Sequence, residues 1–144
     1  MRIAITGANG FIGNNLLKHF KACGHETIAI IRKSAIVPDH DVEIREVDYY
    51  DALSLTENLK DVDVLIHNAG KTKSLNAQEM LAANVGITQR IVQAINTLNH
   101  PIHLIFISSQ AASRASTNNK PINEDETPRP LTRYGKSKIG RAHV

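Results

Sequence analysis

Short β-branched runs alternate along the chain with stretches in which apolar residues recur at helical spacing. Residues 2–6 form one such run and end at a glycine, which indicates a buried strand that opens directly into a turn. A helix is predicted next, ending near Gly24, because apolar side chains then follow at helical spacing at Phe11, Ile12, Leu16, Leu17 and Phe20.

The same alternation continues as far as residue 107. Further strands are predicted over residues 27–31, 42–47, 62–66 and 102–107, and helices over residues 52–59, with Asp51 as the cap, and 76–98. Strands separated by helices require right-handed crossovers, and these produce a parallel sheet covered on both faces. The pattern therefore predicts the α/β class with a doubly wound parallel sheet. The polar residues 111–130 are predicted as a surface loop after the fifth strand, at the sheet end where ligands bind.

Composition narrows the class of protein. The 144 residues are 42% hydrophobic, with one cysteine, so one packed core is expected, without a disulfide framework or a Cys-rich zinc site. No apolar run approaches the roughly 18 residues of a membrane span. We therefore expect a cytoplasmic protein with no membrane partner.

Charge and histidine content identify no partner. The net charge of +3 comes mainly from the residues beyond 113, and aromatic residues are 4% of the chain, so nucleic-acid binding is not expected. The seven histidines include no pair four residues apart, so no metal site is expected either.

The first turn carries three regularly spaced glycines, Gly7, Gly10 and Gly13. Gly7 permits a tight turn, Gly10 lets the main chain approach a pyrophosphate, and Gly13 lets the helix lie close to the sheet. The N–H groups at the helix start then attract phosphate. This spacing, between a strand and a helix, predicts dinucleotide binding. The alternative is a glycine-rich turn that only packs tightly.

The turn, T-G-x-x-G-F-I-G, resembles that of the extended short-chain dehydrogenase/reductase superfamily, in its NAD(P)-dependent epimerase/dehydratase-like branch. The segments 67–70 (H-N-A-G), 84–88 (N-V-G-I-T) and 121–130 resemble further motifs of that branch. The resemblance implies a Rossmann-type domain, here truncated before its last strands and the substrate domain. Cofactor contacts are expected, in part from the glycine spacing and in part from the resemblance, at Gly7, Asn9, Gly10, Phe11, Ile12, Gly13, Arg32, Asp48, Asn68, Ala69, Gly70, Tyr134 and Lys138.

The end of the second strand bears on the choice of cofactor. Arg32 and Lys33 stand where an NAD site usually has a carboxylate for the ribose 2′-hydroxyl, and an arginine there can pair with a 2′-phosphate. NADP is therefore favoured slightly over NAD. The alternative is that both are solvated surface cations. By resemblance, Asp48 would accept a hydrogen bond from the adenine amino group.

Tyr134 and Lys138 form a Y-x-x-x-K motif, whose spacing places phenol and ammonium on one helical face. A neighbouring cation favours the phenolate form of a tyrosine, which can then exchange a proton with a substrate hydroxyl or carbonyl. The resemblance assigns the catalytic serine to Ser109, with Ser108 as a structural alternative, and implies that Lys138 also binds the nicotinamide ribose. Asn84 is expected to be a supporting polar group of this catalytic set.

These residues predict an enzyme that transfers hydride to or from a carbonyl or hydroxyl of a small molecule, with nucleotide sugars as one substrate class. Dehydratases of the branch carry an acidic pair after the serine, where this chain has Gln110 and Ala111, so a dehydratase mechanism lacks its acid and base. Many epimerases of the branch carry a tyrosine-glycine pair a few residues later, where this chain has Ser113 and Arg114, so a reductase or dehydrogenase fits at least as well as an epimerase. The alternative is a non-catalytic dinucleotide sensor or interaction protein, which the retention of Ser109, Tyr134 and Lys138 disfavours.

We expect the last six residues to differ in origin from the rest of the chain. Residues 1–138 are predicted to be an incomplete NAD(P)-binding Rossmann domain. Residues 139–144 are predicted to be a non-native extension, because K-I-G-R-A-H-V resembles the in-frame translation of a sequencing-library adapter. We expect the fragment itself to be inactive and the full-length protein to form a homodimer.

Overall fold

A computed structural model describes residues 1–36, 41–116 and 120–141. The chain divides into two compact units. The first unit comprises Met1–Gly70 and Arg90–Ile107, and the second comprises Lys71–Gln89 and the chain from Ser108 onward.

The first unit is built on a parallel sheet of five strands. Its order is β3-β2-β1-β4-β5, so the chain moves outward from β1 to β3 and then continues on the other side of β1. This confirms the predicted Rossmann-type doubly wound architecture, with its switch of direction between β1 and β4. The strands are Arg2–Thr6 (β1), Glu26–Arg32 (β2), Glu43–Val47 (β3), Val64–His67 (β4) and His103–Phe106 (β5).

Two helices of this unit begin and end at residues that the sequence indicates. Helix α1 covers Phe11–Ala22, and the N–H of Gly24, at a φ of +79°, donates to the Lys21 carbonyl just beyond its end. Helix α2 covers Ala52–Leu59 and is capped by Asp51, whose Oδ1 accepts from the Leu53 N–H at 3.0 Å. One cluster of the core contains Ile3, Ile5, Leu17, Ala29, Ile31 and Ile66.

The predicted helix over residues 76–98 is confirmed as a helical run over residues 77–96, but it contains a π turn that the sequence pattern does not predict. It divides into α3 (Ala77–Leu81), a π-helical turn (Ala82–Gly86) and α4 (Ile87–Asn96). Such single π turns often occur at functional sites, and this one contains Asn84. The predicted fourth strand also begins two residues too early, because the Val62 N–H donates to the Leu59 carbonyl and closes the preceding helix.

The second unit contains α3, the π turn, a 3₁₀ turn (Gln110–Ala112) and helix α5 (Arg133–Gly140). Residues 113–116 and 120–130 contain no helix or strand, as predicted for the surface loop, while residues 117–119 lie outside the described residues. Ile139 and Gly140 continue α5, and residues 142–144 also lie outside the described residues. The non-native origin of residues 139–144 stays a prediction.

Within the described part of the chain, no helix is both long and apolar enough to cross a membrane. The same residues contain no group of three or more His, Cys, Asp or Glu side chains that could hold a metal ion.

Candidate functional site

The glycine turn requires residues without a Cβ at two of its positions. Gly7 has a φ of +65°, and a Cβ there would lie 2.8 Å from the Cα of Ala69. A Cβ on Gly13 would overlap the Gly7 carbonyl oxygen. Only glycine therefore permits this turn between β1 and α1, which agrees with the separate requirements inferred for Gly7 and Gly13.

The start of α1 has the properties of an anion site. Its N-cap is Gly10, which supplies no side-chain hydrogen bond, and its first turn contains no acidic residue. A Cβ on Gly10 would meet only the Gly7 carbonyl oxygen, at 3.3 Å, so the space beyond is open. Asn9, Phe11 and Ile12 surround this start and are exposed. The first N–H groups of α1 and the positive end of its dipole are thus accessible to a phosphate group.

Residues 68–70 lie beside the glycine turn. Thr6 and His67 are both buried, and Thr6 Oγ1 lies 2.8 Å from His67 Nδ1 while accepting from the Ala69 N–H at 3.0 Å. Asn68 Nδ2 donates to the Gly7 carbonyl at 3.4 Å. The polar contacts hold the start of the loop after β4 against the glycine turn.

The predicted adenosine-side residues are exposed. Arg32 is the last residue of β2 and Lys33 follows it, and both are exposed. Exposure agrees with both alternatives, a pair of cations that binds a phosphate and a pair that is only solvated. Asp48 is also exposed, and its Oδ1 accepts from the Tyr50 N–H at 2.8 Å. The preference for NADP and the adenine contact of Asp48 stay predictions.

In the second unit, the segment after Ser109 packs directly on α5. A Cβ on Gly135 would overlap the Ala111 carbonyl oxygen, so only glycine permits this approach. Ser109 Oγ accepts from the Ala111 N–H at 3.2 Å and caps the 3₁₀ turn. A hydroxyl accepting one bond still has a proton to donate, so Ser109 keeps the donor that its predicted role needs. Ser108 is exposed.

Tyr134 and Lys138 lie one turn apart on α5, which starts at its N-cap Thr132. Tyr134 is partly buried, whereas Lys138 is only 4% exposed. Burial, and secondarily the Arg141 cation, lower the pKa of Lys138 to about 8. The pKa of Lys138 therefore lies closer to neutral pH than the 10.5 of an unperturbed lysine.

Asn84 connects two segments of the second unit through its fully buried amide. Its Oδ1 accepts from the Lys71 N–H at 2.7 Å, and its Nδ2 donates to the Lys71 carbonyl at 3.0 Å and to Ser137 Oγ at 2.8 Å. Ser137 Oγ in turn donates to the Tyr134 carbonyl at 2.7 Å. Asn84 thus fixes the main chain at Lys71 and the helical turn that carries Tyr134.

Sequence reasoning missed two residues of this unit, Gly135 and Ser137. Both lie inside the Y-x-x-x-K motif, so their positions were visible. The partners were not visible, because Ala111 and Asn84 are distant in sequence, the latter by 53 residues from Ser137.

Comparison with known proteins places these features in a family. The model of the NAD dependent epimerase/dehydratase family matches residues 3–143. The dTDP-6-deoxy-L-talose 4-dehydrogenase (NAD(P)(+)) of Kitasatospora kifunensis is 27% identical over 141 residues, which are 96% of this chain and 44% of that protein.

Solved structures agree with the fold. UDP-N-acetylglucosamine 4-epimerase from Bacillus cereus is 29% identical with a TM-score of 0.82, and the alignment covers 99% of this chain and 47% of that one. MoeE5 in complex with UDP-glucose and NAD is 26% identical with a TM-score of 0.85, over 99% and 47% of the two chains. The chain spans about half the length of the relatives it matches. It belongs to the NAD-dependent epimerase/dehydratase family.

Proposed function

We propose that this chain is the coenzyme-binding part of an NAD(P)-dependent oxidoreductase or epimerase that acts on a carbonyl or hydroxyl group through Ser109, Tyr134 and Lys138. The observation that carries the proposal is the burial of Lys138 one helical turn from Tyr134. Burying an ammonium costs free energy. Ionisable groups with strongly shifted pKa values concentrate at functional sites, where such a cost serves the chemistry.

The glycine turn fits a dinucleotide. Gly10 leaves open space before the start of α1, and that start has no side-chain cap, so the coenzyme diphosphate would be held by Gly7, Gly10, Gly13 and the first N–H groups of the helix. When bound, the nicotinamide accepts or supplies a hydride. We propose NADP over NAD; the support is that Arg32 and Lys33 are two exposed cations at the end of β2, where an arginine can pair with a 2′-phosphate.

Each residue of the second unit has a distinct task in the proposed reaction. Tyr134 exchanges a proton with the substrate oxygen, and Lys138 supplies a buried cation one helical turn away. Ser109 donates a hydrogen bond to the same oxygen. Because the pKa of Lys138 is about 8, its cation is the major form below that pH.

Nucleotide sugars are the proposed substrate class. The support is that the curated and solved relatives named above include a dTDP-sugar dehydrogenase and a UDP-sugar epimerase. Since the chain spans about half of their length, we propose that it binds coenzyme but does not turn over substrate alone. The homodimer stays a prediction.

Calorimetric titration of the chain with NADH and NADPH tests the coenzyme part of the proposal. Saturable binding of at least one is expected, with the tighter constant for NADPH. Absence of binding to both by a folded sample would overturn the proposal.

The chemistry is tested in the full-length protein with a panel of UDP- and dTDP-sugars, by coenzyme absorbance at 340 nm and by product analysis. Tyr134→Phe should keep coenzyme affinity and lose at least about two orders of magnitude in turnover, as expected when a general acid–base is removed. Unchanged turnover in Tyr134→Phe would contradict the assigned role.

A further inference from the structure

The helical run that carries Asn84 changes its hydrogen-bonding pattern close to that residue. Asn84 lies in the π turn Ala82–Gly86, and Thr88 lies in the first turn of α4, which begins at Ile87. In an α-helix each carbonyl pairs with the N–H four residues later, whereas in a π turn the partner is five residues later. Because π turns are rare, contacts that span the change from π to α bear on where Asn84 lies.

The Thr88 hydroxyl makes such a contact. Its Oγ1 donates to the Asn84 carbonyl at 2.8 Å and accepts from Arg141 Nε at 2.9 Å. The arginine Nε can only donate, and a hydroxyl has a single proton, so these two bonds direct the Thr88 proton to the Asn84 carbonyl. Thr88 is 3% exposed and Asn84 is fully buried, so little water competes for either group.

The amide of Asn84 extends this contact to α5. Its three bonds, two to the backbone of Lys71 and one to Ser137 Oγ, are between 2.7 and 3.0 Å long. Hydrogen bonds weaken steeply when their distances and angles change, so a displaced Asn84 backbone could not keep all three. Since Ser137 Oγ donates to the Tyr134 carbonyl at 2.7 Å, the Thr88 hydroxyl is linked through two buried side chains to the helical turn of Tyr134.

We infer that Thr88 is a positioning residue for the proposed reaction, whose hydroxyl keeps the π turn in place so that the Asn84 amide holds Tyr134 in its orientation on α5. This inference rests on the proposed role of Tyr134. A small displacement of a reacting group lowers the rate of the chemical step even where the ligand still binds. The effect of Thr88 should therefore fall on kcat, while the diphosphate site at the glycine turn keeps its affinity.

Thr88→Val in the full-length protein tests the inference, because valine has nearly the same shape without the hydroxyl. With the sugar nucleotides that the wild type turns over, kcat should fall by about tenfold, while the coenzyme dissociation constant stays within about threefold of the wild type. Thr88→Ser retains the hydroxyl, so its kcat should lie within about threefold of the wild type. Thr88→Ala replaces Thr88→Val if the valine variant does not fold.

Thr56→Val is the matched control. Thr56 Oγ1 also donates to the carbonyl four residues before it, that of Ala52 at 2.9 Å, but within the uninterrupted helix α2. Its kcat should stay within about twofold of the wild type, because no π turn depends on this bond. A merely structural role would lower the unfolding temperature of Thr88→Val and leave its kcat unchanged. That result would overturn the inference and leave the proposed function standing.

The side-chain amide of Asn84 supplies a second measurement, in the chain itself. Both its protons are donated, to the Lys71 carbonyl and to Ser137 Oγ, so they should exchange slowly with solvent in protein labelled with ¹⁵N-asparagine. Exchange should be faster in Thr88→Val but not in Arg141→Met, which removes only the other bond of the hydroxyl.

Two results of the exchange measurement would overturn the inference, namely rapid exchange in the wild type and equal acceleration in Thr88→Val and Arg141→Met. Slow exchange in the wild type that is lost only in Thr88→Val supports it. A full-length wild type that transfers no hydride would overturn the proposed function and with it the inference.

Discussion

Replacing Lys138 with methionine should stabilise the protein at neutral pH and remove part of its pH dependence. Lys138 is 4% exposed, and its pKa falls from 10.5 to about 8. At about 1.4 kcal/mol per pKa unit, keeping this ammonium charged in the folded state costs about 3 kcal/mol. Methionine retains a flexible apolar chain without the charge.

The sign of the pH dependence follows from the two pKa values. Below pH 8 both the folded and unfolded states carry the proton on Lys138, so the full cost is present. Between pH 8 and 10.5 the unfolded state binds more protons than the folded state, so the free energy of unfolding increases with pH. Lys138→Met should lack this increase. Its free energy of unfolding at pH 7 should exceed that of the wild type by about 1–3 kcal/mol, where the lower figure allows for the polar contacts that are lost with the lysine.

Urea unfolding at constant ionic strength, followed by circular dichroism from pH 7 to 9.5, measures the free energy of unfolding at pH 7 and its change with pH. Lys136→Met is the matched control, because Lys136 lies on the same helix and is exposed. It should change the free energy of unfolding by no more than about 0.5 kcal/mol. A Lys138→Met variant that is less stable than wild type at pH 7, with a parallel pH dependence, would refute the argument from burial.

Three further changes probe the two units. Gly13→Ala should lower the free energy of unfolding by about 1–3 kcal/mol and abolish coenzyme binding, because the added Cβ overlaps a carbonyl of the turn. Gly86→Ala is the control, because Gly86 has open space around it. Thermal melts and calorimetry measure both variants. The hydrogen bond from Arg45 lowers the pKa of Asp61 to about 2, below its ordinary 3.8, so its contribution is complete above pH 4 and is lost as the pH falls toward 2. Acid titration of Asp61→Asn should therefore show a weaker loss of stability over that range. Ser137→Ala should cost about 1–3 kcal/mol in urea unfolding, because it removes an acceptor from a buried amide, and Ser137→Thr should restore part of the loss.

The strands and helices of the first unit could be predicted from the chain because their signals are local. A β-branched run, a capping Asp51 and a terminating Gly24 act on their own neighbours, and the rule for right-handed crossovers then determines the parallel sheet. Over residues 76–98 the apolar periodicity predicts the helix but does not reveal the π turn within it.

Some features of the candidate site could also be predicted from local sequence patterns, and others could not. The glycine spacing and the Tyr134–Lys138 pair are local patterns, and both could be identified before any fold was known. The burial of Lys138 and the hydrogen bond from Tyr49 to the Ile30 carbonyl depend on residues from other elements. Sequence spacing carries no information about such partners.

The amino-acid sequence by itself determined the order of elements, the glycine turn and the identity of the residues available for chemistry, because each depends on the residue types within a few positions. Only the tertiary structure decided which of those residues are desolvated and which backbone groups they hold. Hydrogen bonds such as Thr6 with His67, 61 residues apart, and Asn84 with Ser137, 53 apart, form only after the chain has brought distant segments together and excluded water from between them.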